Sequence, residues 1–299
     1  RPKSLQPFDY TEANMSGELW FAEGFTQYYT GLTLCRAGVL SPQEYVESLA
    51  GSLNYVWNSP ALKYFTPVEM SYQAPFVDAA TSLDPVNREN MFISYYTYGS
   101  VLGLALDLSL RSLDKGLSLD GFMQKVWQTY GKPEVAYTVR DLQLALESYA
   151  GEDFGKEFFR QYIFSSKMPD YRKLLADFGV EFKRENSDKA ALGAYLTLSN
   201  GAAVVATNPT EGSAAYEAGL AKGDRIVSLG YKPVPATGDS RKLLDEFKVG
   251  ETVEVVYERF GRTRKASLTF QADPSYATSL QTNVSAPVQQ KQRAWLGAR

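Results

Sequence analysis

Residues 19–29, LWFAEGFTQYY, decide how the rest of this sequence is interpreted. Leu19, Ala22 and Thr26 recur at the 3.6-residue period of a helix, so the stretch predicts a helix with an apolar face. Glu23 lies inside that face and is followed by Gly24. A carboxylate facing a core is costly unless it is paired or binds a metal. Two interpretations of Glu23 stay open at this point: a metal ligand, or an ion pair with an Arg or Lys.

The pattern LWxxEGxTxYY of residues 19–29 resembles the third-ligand helix of the gluzincin metallopeptidases, most closely that of the glycyl aminopeptidase family. The preceding RPxxLxPFDY of residues 1–10 is similar to that family's link from its zinc-binding HExxH helix. The resemblance extends, with gaps, over nearly the whole chain. It implies that Glu23 is the glutamate ligand of a zinc that two histidines also hold, with one position open for water.

The sequence departs from this family in one large respect, because it contains no histidine. It therefore lacks the HExxH motif and every imidazole ligand. We expect the chain to be the C-terminal part of a longer enzyme, cut just after the zinc-binding helix. Zinc is then the cofactor of the complete enzyme, and this segment alone is expected to be metal-free.

A second resemblance lies in residues 94–99, SYYTYG, which are similar to the family's SYYxKG segment. The resemblance implies that Tyr96 donates a hydrogen bond to the oxyanion of the tetrahedral intermediate. Tyr98 replaces the lysine of the family's pattern. The alternative is that these tyrosines are core residues whose hydroxyls reach water.

Helical periodicity distinguishes Tyr96 from its neighbour Tyr95. Tyr96, Gly99 and Gly103 are spaced at i, i+3 and i+7 and so share one helix face. The two glycines leave a shallow strip on that face, which the Glu23 helix could approach closely. Tyr95 lies on a bulkier face and is predicted to be core.

Residues 213–226, SAAYEAGLAKGDRI, resemble the PDZ signature of bacterial proteases, SPAxxAGLxxGDxI. The resemblance implies a peptide groove between the backbone amides of Leu192, Gly193 and Ala194 and a helix predicted over Ser240–Phe247. A C-terminal peptide would bind there by strand addition. The alternative is a PDZ domain that only packs against the catalytic domain.

The order of elements predicts an α+β, multidomain fold. The C-terminal part of a thermolysin-like catalytic domain is expected over residues 1–116 and a helical bundle over 117–184. A β-rich PDZ domain follows over 187–273, and a tail over 274–299 docks back on the helices through Trp295 and Leu296. The predicted strands are 195–198, 202–206, 225–229, 251–259 and 265–271.

Composition excludes several classes of protein. The net charge of −3 gives no basic surface for nucleic acid. Residues 91–106 are uncharged but too short and too polar for a membrane span, so they predict a buried helix. A single cysteine, Cys35, leaves the compartment undetermined. A periplasmic or other extracytoplasmic location in a bacterium is the working expectation.

The leading interpretation is a zinc aminopeptidase that removes N-terminal residues from peptides. A preference for small residues such as Gly or Ala is implied by the family resemblance alone. The alternative is a non-enzymatic PDZ adaptor on a helical platform, in which Glu23 forms a structural ion pair. A serine protease is disfavoured because no histidine is present to act as base.

Overall fold

The fold is given by a computed structural model that describes residues 1–77, 84, 86–113, 115–199, 202–234 and 240–297. The chain divides into two units: Arg1–Lys183 together with Tyr276–Arg299, and Arg184–Ser275. The first is mainly helical and the second is β-rich, so the predicted α+β multidomain fold is confirmed. The predicted boundaries of the four segments stay predictions.

The described helices and strands follow one another with short connections. The helices are α1 (Leu19–Ala22), α2 (Gly24–Arg36), α3 (Pro42–Trp57), α4 (Pro67–Tyr72), α5 (Ala74–Val77), α6 (Arg88–Met91), α7 (Tyr95–Arg111), α8 (Leu119–Val126), α9 (Val139–Ala150), α10 (Glu152–Phe158), α11 (Tyr171–Ala176), α12 (Ala214–Glu217) and α13 (Ala286–Leu296). The strands are β1 (Val180–Arg184), β2 (Ala190–Ala191), β3 (Leu196–Ser199), β4 (Ala202–Val205), β5 (Arg225–Leu229), β6 (Lys232–Pro233), β7 (Thr252–Arg259), β8 (Arg262–Thr269), β9 (Gln271–Ala272) and β10 (Tyr276–Leu280). Short 3-10 turns lie at Lys3–Leu5, Pro60–Lys63 and Ser240–Leu243, and π-helical turns extend α8 and α10 over Trp127–Gly131 and Phe159–Ile163.

Two glycines allow α2 and α7 to cross with their backbones in contact. A Cβ atom added at Gly24 would lie 2.3 Å from the Cα of Gly99. One added at Gly99 would lie 1.8 Å from the carbonyl oxygen of Trp20. Gly103, one turn further along α7, faces side chains of α2. The predicted glycine strip is therefore confirmed as the surface on which the Glu23 helix packs.

The helix α7 is buried around most of its circumference. From Val101 to Leu110, every residue except Ser109 is buried. The buried helix predicted within residues 91–106 is thus confirmed from Tyr95 onward. Within the described residues, no helix has the length and apolar character needed to cross a membrane.

The sequence predicts one helix from Glu89 to Leu113, and this is wrong at its beginning. The short α6 ends at Met91, the backbone is extended at Phe92, and α7 begins only at Tyr95. Phe92 and Ile93 are both buried in this extended segment. A strand-like backbone turns successive side chains to opposite sides, so both can be buried between neighbouring elements.

The prolines and mixed polarity of residues 60–88 predict a long loop, and this prediction is wrong in part, because α4 and α5 lie within it. Thr66 caps α4 in a capping box with Glu69, and Pro67 occupies the first helical turn. These are strong start signals that the prolines of the segment obscured. Residues 78–83 and 85 of the predicted loop lie outside the described residues.

The C-terminal segment docks on the helices of the first unit. Trp295 and Leu296 of α13 are buried. The indole N–H of Trp295 donates to the Tyr28 hydroxyl at 2.9 Å, and the Arg36 Nε donates to the Trp295 carbonyl at 3.0 Å. The predicted docking through Trp295 and Leu296 is confirmed, although the helix that carries them was not predicted.

The second unit is built on an antiparallel sheet in the order β3-β4-β5-β7-β8, with β6 paired to β5. Each of the five predicted strands matches one of these strands to within a few residues. The helix predicted over Ser240–Phe247 is wrong, because this segment forms a 3-10 turn over Ser240–Leu243 and then irregular turns. Its apolar residues, Leu244 and Phe247, still pack against the core of the unit. This packing does not require a full helix.

We expect Gly99→Ala to destabilise the first unit strongly, because the added methyl group meets backbone atoms that no side-chain rotation can move. The cost should reach about 3 kcal/mol or more, the upper range for overpacking. Gly51→Ala is the matched control, since this exposed helical glycine has open space around it and should gain about 0.5–1 kcal/mol. Urea unfolding measures both changes, and equal stability of the two variants would contradict the backbone contact.

Candidate functional site

Glu23 lies at the junction of α1 and α2, where the regular helix is interrupted for one residue. The sequence predicts a single helix here, and the structure gives two helices that Glu23 joins with φ −94° and ψ −42°. The side chain is half-buried. Within the described residues, its carboxylate has no hydrogen bond and no ion pair. The described residues therefore supply no Arg or Lys partner for Glu23, so the structural ion pair that the sequence left open is not found among them.

Tyr96 lies on the first turn of α7, next to the crossing with α2. Tyr96 and Gly103 lie on the same face of α7, because seven residues rotate around the helix axis by about 20° less than two full turns. Gly103 faces α2, so Tyr96 stands on the α2 side of its helix. The ring of Tyr96 is 39% exposed, whereas the ring of Tyr95 is buried at 6%. Of the two tyrosines, Tyr96 is therefore the one that presents its phenol to solvent beside the crossing.

At the crossing, the residue next to Glu23 contacts the residue next to Tyr96. A Cβ atom at Gly24 would lie 2.9 Å from the carbonyl oxygen of Tyr95. Glu23 precedes Gly24, and Tyr96 follows Tyr95. Both residues therefore flank the same backbone contact, and neither is fully buried.

Sequence reasoning missed a second carboxylate near this place, that of Glu18. It is buried and accepts hydrogen bonds from the Ser16 hydroxyl at 2.7 Å, the Ser4 hydroxyl at 3.2 Å and the Val139 N–H at 3.1 Å. Val139 is the first residue of α9, so the carboxylate also lies at the positive end of that helix dipole. The available signal was Ser16-x-Glu18 just before an apolar run, a pattern that resembles ordinary helix capping. Glu18 thus ties the first residues of the chain to the start of the Glu23 helix.

Tyr137 is the other residue that the sequence did not single out. Its backbone N–H donates to the Arg1 carbonyl at 3.0 Å, and its carbonyl accepts from the Lys3 N–H at 2.8 Å. Burial raises the pKa of the Tyr137 phenol to about 12, and the nearby carboxylates of Glu18 and Glu23 add to the rise. The phenol therefore stays protonated at neutral pH and can only donate or accept hydrogen bonds there.

The described residues contain no complete set of zinc ligands. The sequence has no histidine. Across the described residues, no group of three His, Cys, Asp or Glu side chains could hold a metal ion. A zinc ion in proteins takes four ligands, usually with three from protein side chains in a catalytic site. Glu23 could supply one of these at most.

The second unit contains a groove with a cavity volume of about 810 Å³. Leu192, Gly193 and Ala194 are among its lining residues, and their predicted role as a peptide-binding loop stays a prediction. Leu196 of β3 and the turn residues Leu244, Asp245 and Phe247 also line the groove.

The loop at residues 192–194 is held by its carbonyl groups. The Leu192 carbonyl accepts from the Ala215 N–H, and the Gly193 carbonyl accepts from the Thr210 N–H, both at 2.9 Å. Within the described residues, the N–H groups of Leu192, Gly193 and Ala194 donate to no protein acceptor. Gly193 has φ +78°, and a Cβ atom there would lie 2.1 Å from the Ser213 Cβ. The position therefore requires glycine for two reasons.

The strand β3 borders the groove and lies at the edge of the sheet. It pairs with β4 on one side, and within the described residues no strand pairs with its other side. An edge strand of this kind offers unpaired backbone groups to an extended peptide.

Comparison with protein families assigns two parts of the chain. Residues 1–102 match the M61 glycyl aminopeptidase family, and residues 176–270 match the PDZ domain family. No curated protein matches the chain.

Comparison with solved structures gives one match over the whole fold. The crystal structure of an aminopeptidase N family protein from Idiomarina loihiensis superposes with a TM-score of 0.85 at 24% identity, over 99% of this chain and 51% of that one. The chain thus spans about half the length of that structure. A serine endoprotease from Yersinia pestis matches with a TM-score of 0.26 at 21% identity, over 29% of this chain and 30% of that one. The PDZ domain of a carboxy-terminal protease from Vibrio cholerae, in complex with peptide, matches with a TM-score of 0.24 at 17% identity, over 28% of this chain and 95% of that one.

The first match shows the fold, and the family models show what two parts of the chain are similar to. The resemblance predicted from the sequence is confirmed: residues 1–102 match the M61 glycyl aminopeptidase family, and residues 176–270 match a PDZ domain.

Proposed function

We propose that this chain is part of a zinc-dependent aminopeptidase that hydrolyses small N-terminal residues, Gly or Ala, from peptides. The family match over residues 1–102 supports a peptidase. The observation that carries the proposal is the half-buried Glu23, whose carboxylate has no partner within the described residues and which, like Tyr96, flanks the contact between Gly24 and the Tyr95 carbonyl. A half-buried carboxylate without a cation loses part of its hydration, and a bound metal ion would offset that cost.

In this proposal Glu23 supplies one carboxylate ligand, and its imidazole partners come from outside these residues. The rigid crossing at Gly24 and Gly99 would fix the position of that carboxylate. Residues 1–16 are connected to the start of the Glu23 helix, because the Ser4 hydroxyl donates a hydrogen bond to the Glu18 carboxylate. Positions fixed by packed helices are more accurate than positions on loops, which a catalytic ligand needs.

Tyr96 has the role of oxyanion donor in this proposal. Its phenol would donate a hydrogen bond to the oxygen of the tetrahedral intermediate as negative charge develops there. A phenol suits this task because it remains protonated at neutral pH. Its partly exposed position leaves room for a substrate oxygen at the hydroxyl.

The groove of the PDZ domain has a separate role, the binding of an extended peptide with a free C-terminus. The unpartnered amides of Leu192, Gly193 and Ala194 would receive the carboxylate, and the peptide backbone would pair with the edge of β3. This groove also supports the alternative function, a PDZ adaptor without catalysis. Peptidase activity of the complete enzyme separates the two functions.

We expect residues 1–299 alone to retain far less than one zinc after dialysis against a mild chelator, because one carboxylate cannot replace two imidazoles. In the enzyme that carries the HExxH helix, Glu23→Ala should remove the bound zinc. Glu12→Ala, at an exposed position in the approach to the helix, should leave it in place. Metal analysis of the dialysed proteins measures this, and stoichiometric zinc on the isolated chain would overturn the proposal.

In the complete enzyme, Tyr96→Phe should lower kcat by about 10²–10³-fold, as the loss of one oxyanion donor does. KM should change little, because the hydrogen bond forms mainly in the transition state. Tyr95→Phe is the matched control and should nearly preserve kcat, since its ring is buried and packs 5.1 Å from that of Tyr96. Steady-state kinetics with a glycyl or alanyl chromogenic substrate measures both. Equal effects of the two substitutions would refute the role of Tyr96.

Peptides with a free C-terminal carboxylate should bind the groove about tenfold or more tightly than the same peptides with a C-terminal amide. The loss of charge-assisted hydrogen bonds to the loop amides is the reason. Fluorescence polarisation with labelled decapeptides on the whole chain measures the difference. A substitution such as Gly193→Trp is unsuitable for this test, because its Cβ atom would collide with Ser213 and distort the loop. Equal binding of acid and amide peptides would favour the packing role of the domain.

A further inference from the structure

The charged side chains that line the PDZ groove are mostly acidic. Asp188, Asp245 and Asp273 line it, and Lys189 is the basic residue among the lining side chains of the described chain. The domain as a whole carries nearly balanced charge, so the acidic lining is a local feature. Asp273 is already engaged, since its carboxylate accepts the N–H of Ser275 at 2.8 Å.

The other two aspartates are different, because their carboxylates have no hydrogen bond or ion pair within the described residues. Both side chains are exposed. Several other acids of the domain do have basic partners: Asp224 with Arg259, Glu246 with Lys232, Glu254 with Lys265, and Glu258 with Arg225. Within the described residues, the groove lining therefore carries two aspartates without a hydrogen-bonded or ion-paired partner, beside a single lysine, Lys189.

Asp245 stands where a bound peptide would pass. It belongs to the wall formed by Leu244, Asp245 and Phe247, which line the same groove as Leu196 of β3. A peptide that pairs with β3 would turn every second side chain toward this wall. Apolar side chains would meet Leu244 and Phe247, and a neighbouring side chain would meet Asp245. Lys189, three residues before the loop, is placed to favour a terminal carboxylate.

We propose that the PDZ groove selects extended C-terminal peptides with an apolar last residue and a Lys or Arg among the residues before it. Asp245 is the main selecting residue and Asp188 the second. This inference rests on the proposed peptide-binding function of the groove and adds its ligand class. Charge of this kind governs specificity more than affinity, and because both aspartates are exposed, salt screens the effect.

The test uses the whole chain and three labelled decapeptides that end in the same Leu-carboxylate. They differ only in carrying Lys, Ala or Glu at the three positions before the last residue. In low salt, the Lys peptide should bind roughly three- to tenfold more tightly than the Glu peptide, the scale of exposed charge pairs. The difference should shrink in about 0.5 M salt, where the screening length falls to a few ångströms.

Two variants assign the effect to the groove. Asp245→Asn should reduce the preference for Lys, and Asp245→Lys should reverse it. The matched control is Glu217→Lys, which makes the same change of charge at an exposed position outside the groove lining. It should leave the order of the three peptides unchanged.

The possible results distinguish a failure of charge selection from a failure of peptide binding itself. Equal affinity for the Lys and Glu peptides, with measurable binding of all three, overturns the charge selection and leaves peptide binding intact. A shift of preference in Glu217→Lys as large as in Asp245→Lys would also overturn it, because the effect would then come from overall charge. Failure of all three peptides to bind the wild-type chain refutes both proposals.

Discussion

The contact between Gly24 and Gly99 is the constraint on which the first unit depends. Helix axes normally stay 8–10 Å apart because side chains separate them, and two glycines remove that separation here. The interruption of the helix at Glu23 falls immediately before this contact. As a result, the backbone of Glu23 is held next to the residue that contacts the first turn of α7. The same contact places Tyr96 at the edge of the crossing.

A buried polar network then holds the ends of these helices together. The Asp107 carboxylate accepts hydrogen bonds from the Tyr28 hydroxyl at 2.8 Å and the Arg111 Nε at 2.9 Å. Burial raises the pKa of the Tyr28 phenol, and the negative charge of Asp107 raises it further. Trp295 donates to the same hydroxyl, so the C-terminal helix completes the network. A buried polar group costs free energy when it lacks a hydrogen-bond partner, and here the C-terminal helix supplies one of the partners of the Tyr28 hydroxyl. The C-terminal segment is therefore part of the first unit's core.

In the second unit the sheet is regular, but the groove wall at residues 240–247 is only partly helical. A 3-10 turn and irregular turns replace the predicted helix at residues 240–247, yet Leu244 and Phe247 still line the groove. The loop at residues 192–194 is constrained more tightly, because Gly193 needs both its positive φ and its lack of a side chain. The part of the groove that would hold a carboxylate is thus constrained at Gly193, while in our proposal the wall formed by Leu244, Asp245 and Phe247 would select the side chains of a peptide.

The sequence alone determined the features that depend on local patterns. The glycine face of α7, the five PDZ strands and the helical character on both sides of Glu23 each follow from periodicity or conformational need within a short stretch. Tertiary structure decided the rest, including the division of the first helix at Glu23. At Phe92–Ser94, an extended segment in which Phe92 and Ile93 are both buried replaces the start of the predicted helix. The importance of Glu18 was not visible locally, since its partners Ser4 and Val139 are distant in sequence. Likewise, whether Glu23 and Asp245 have a basic partner among the described residues depends on which basic residues the fold brings near, and a linear sequence does not encode that distance directly.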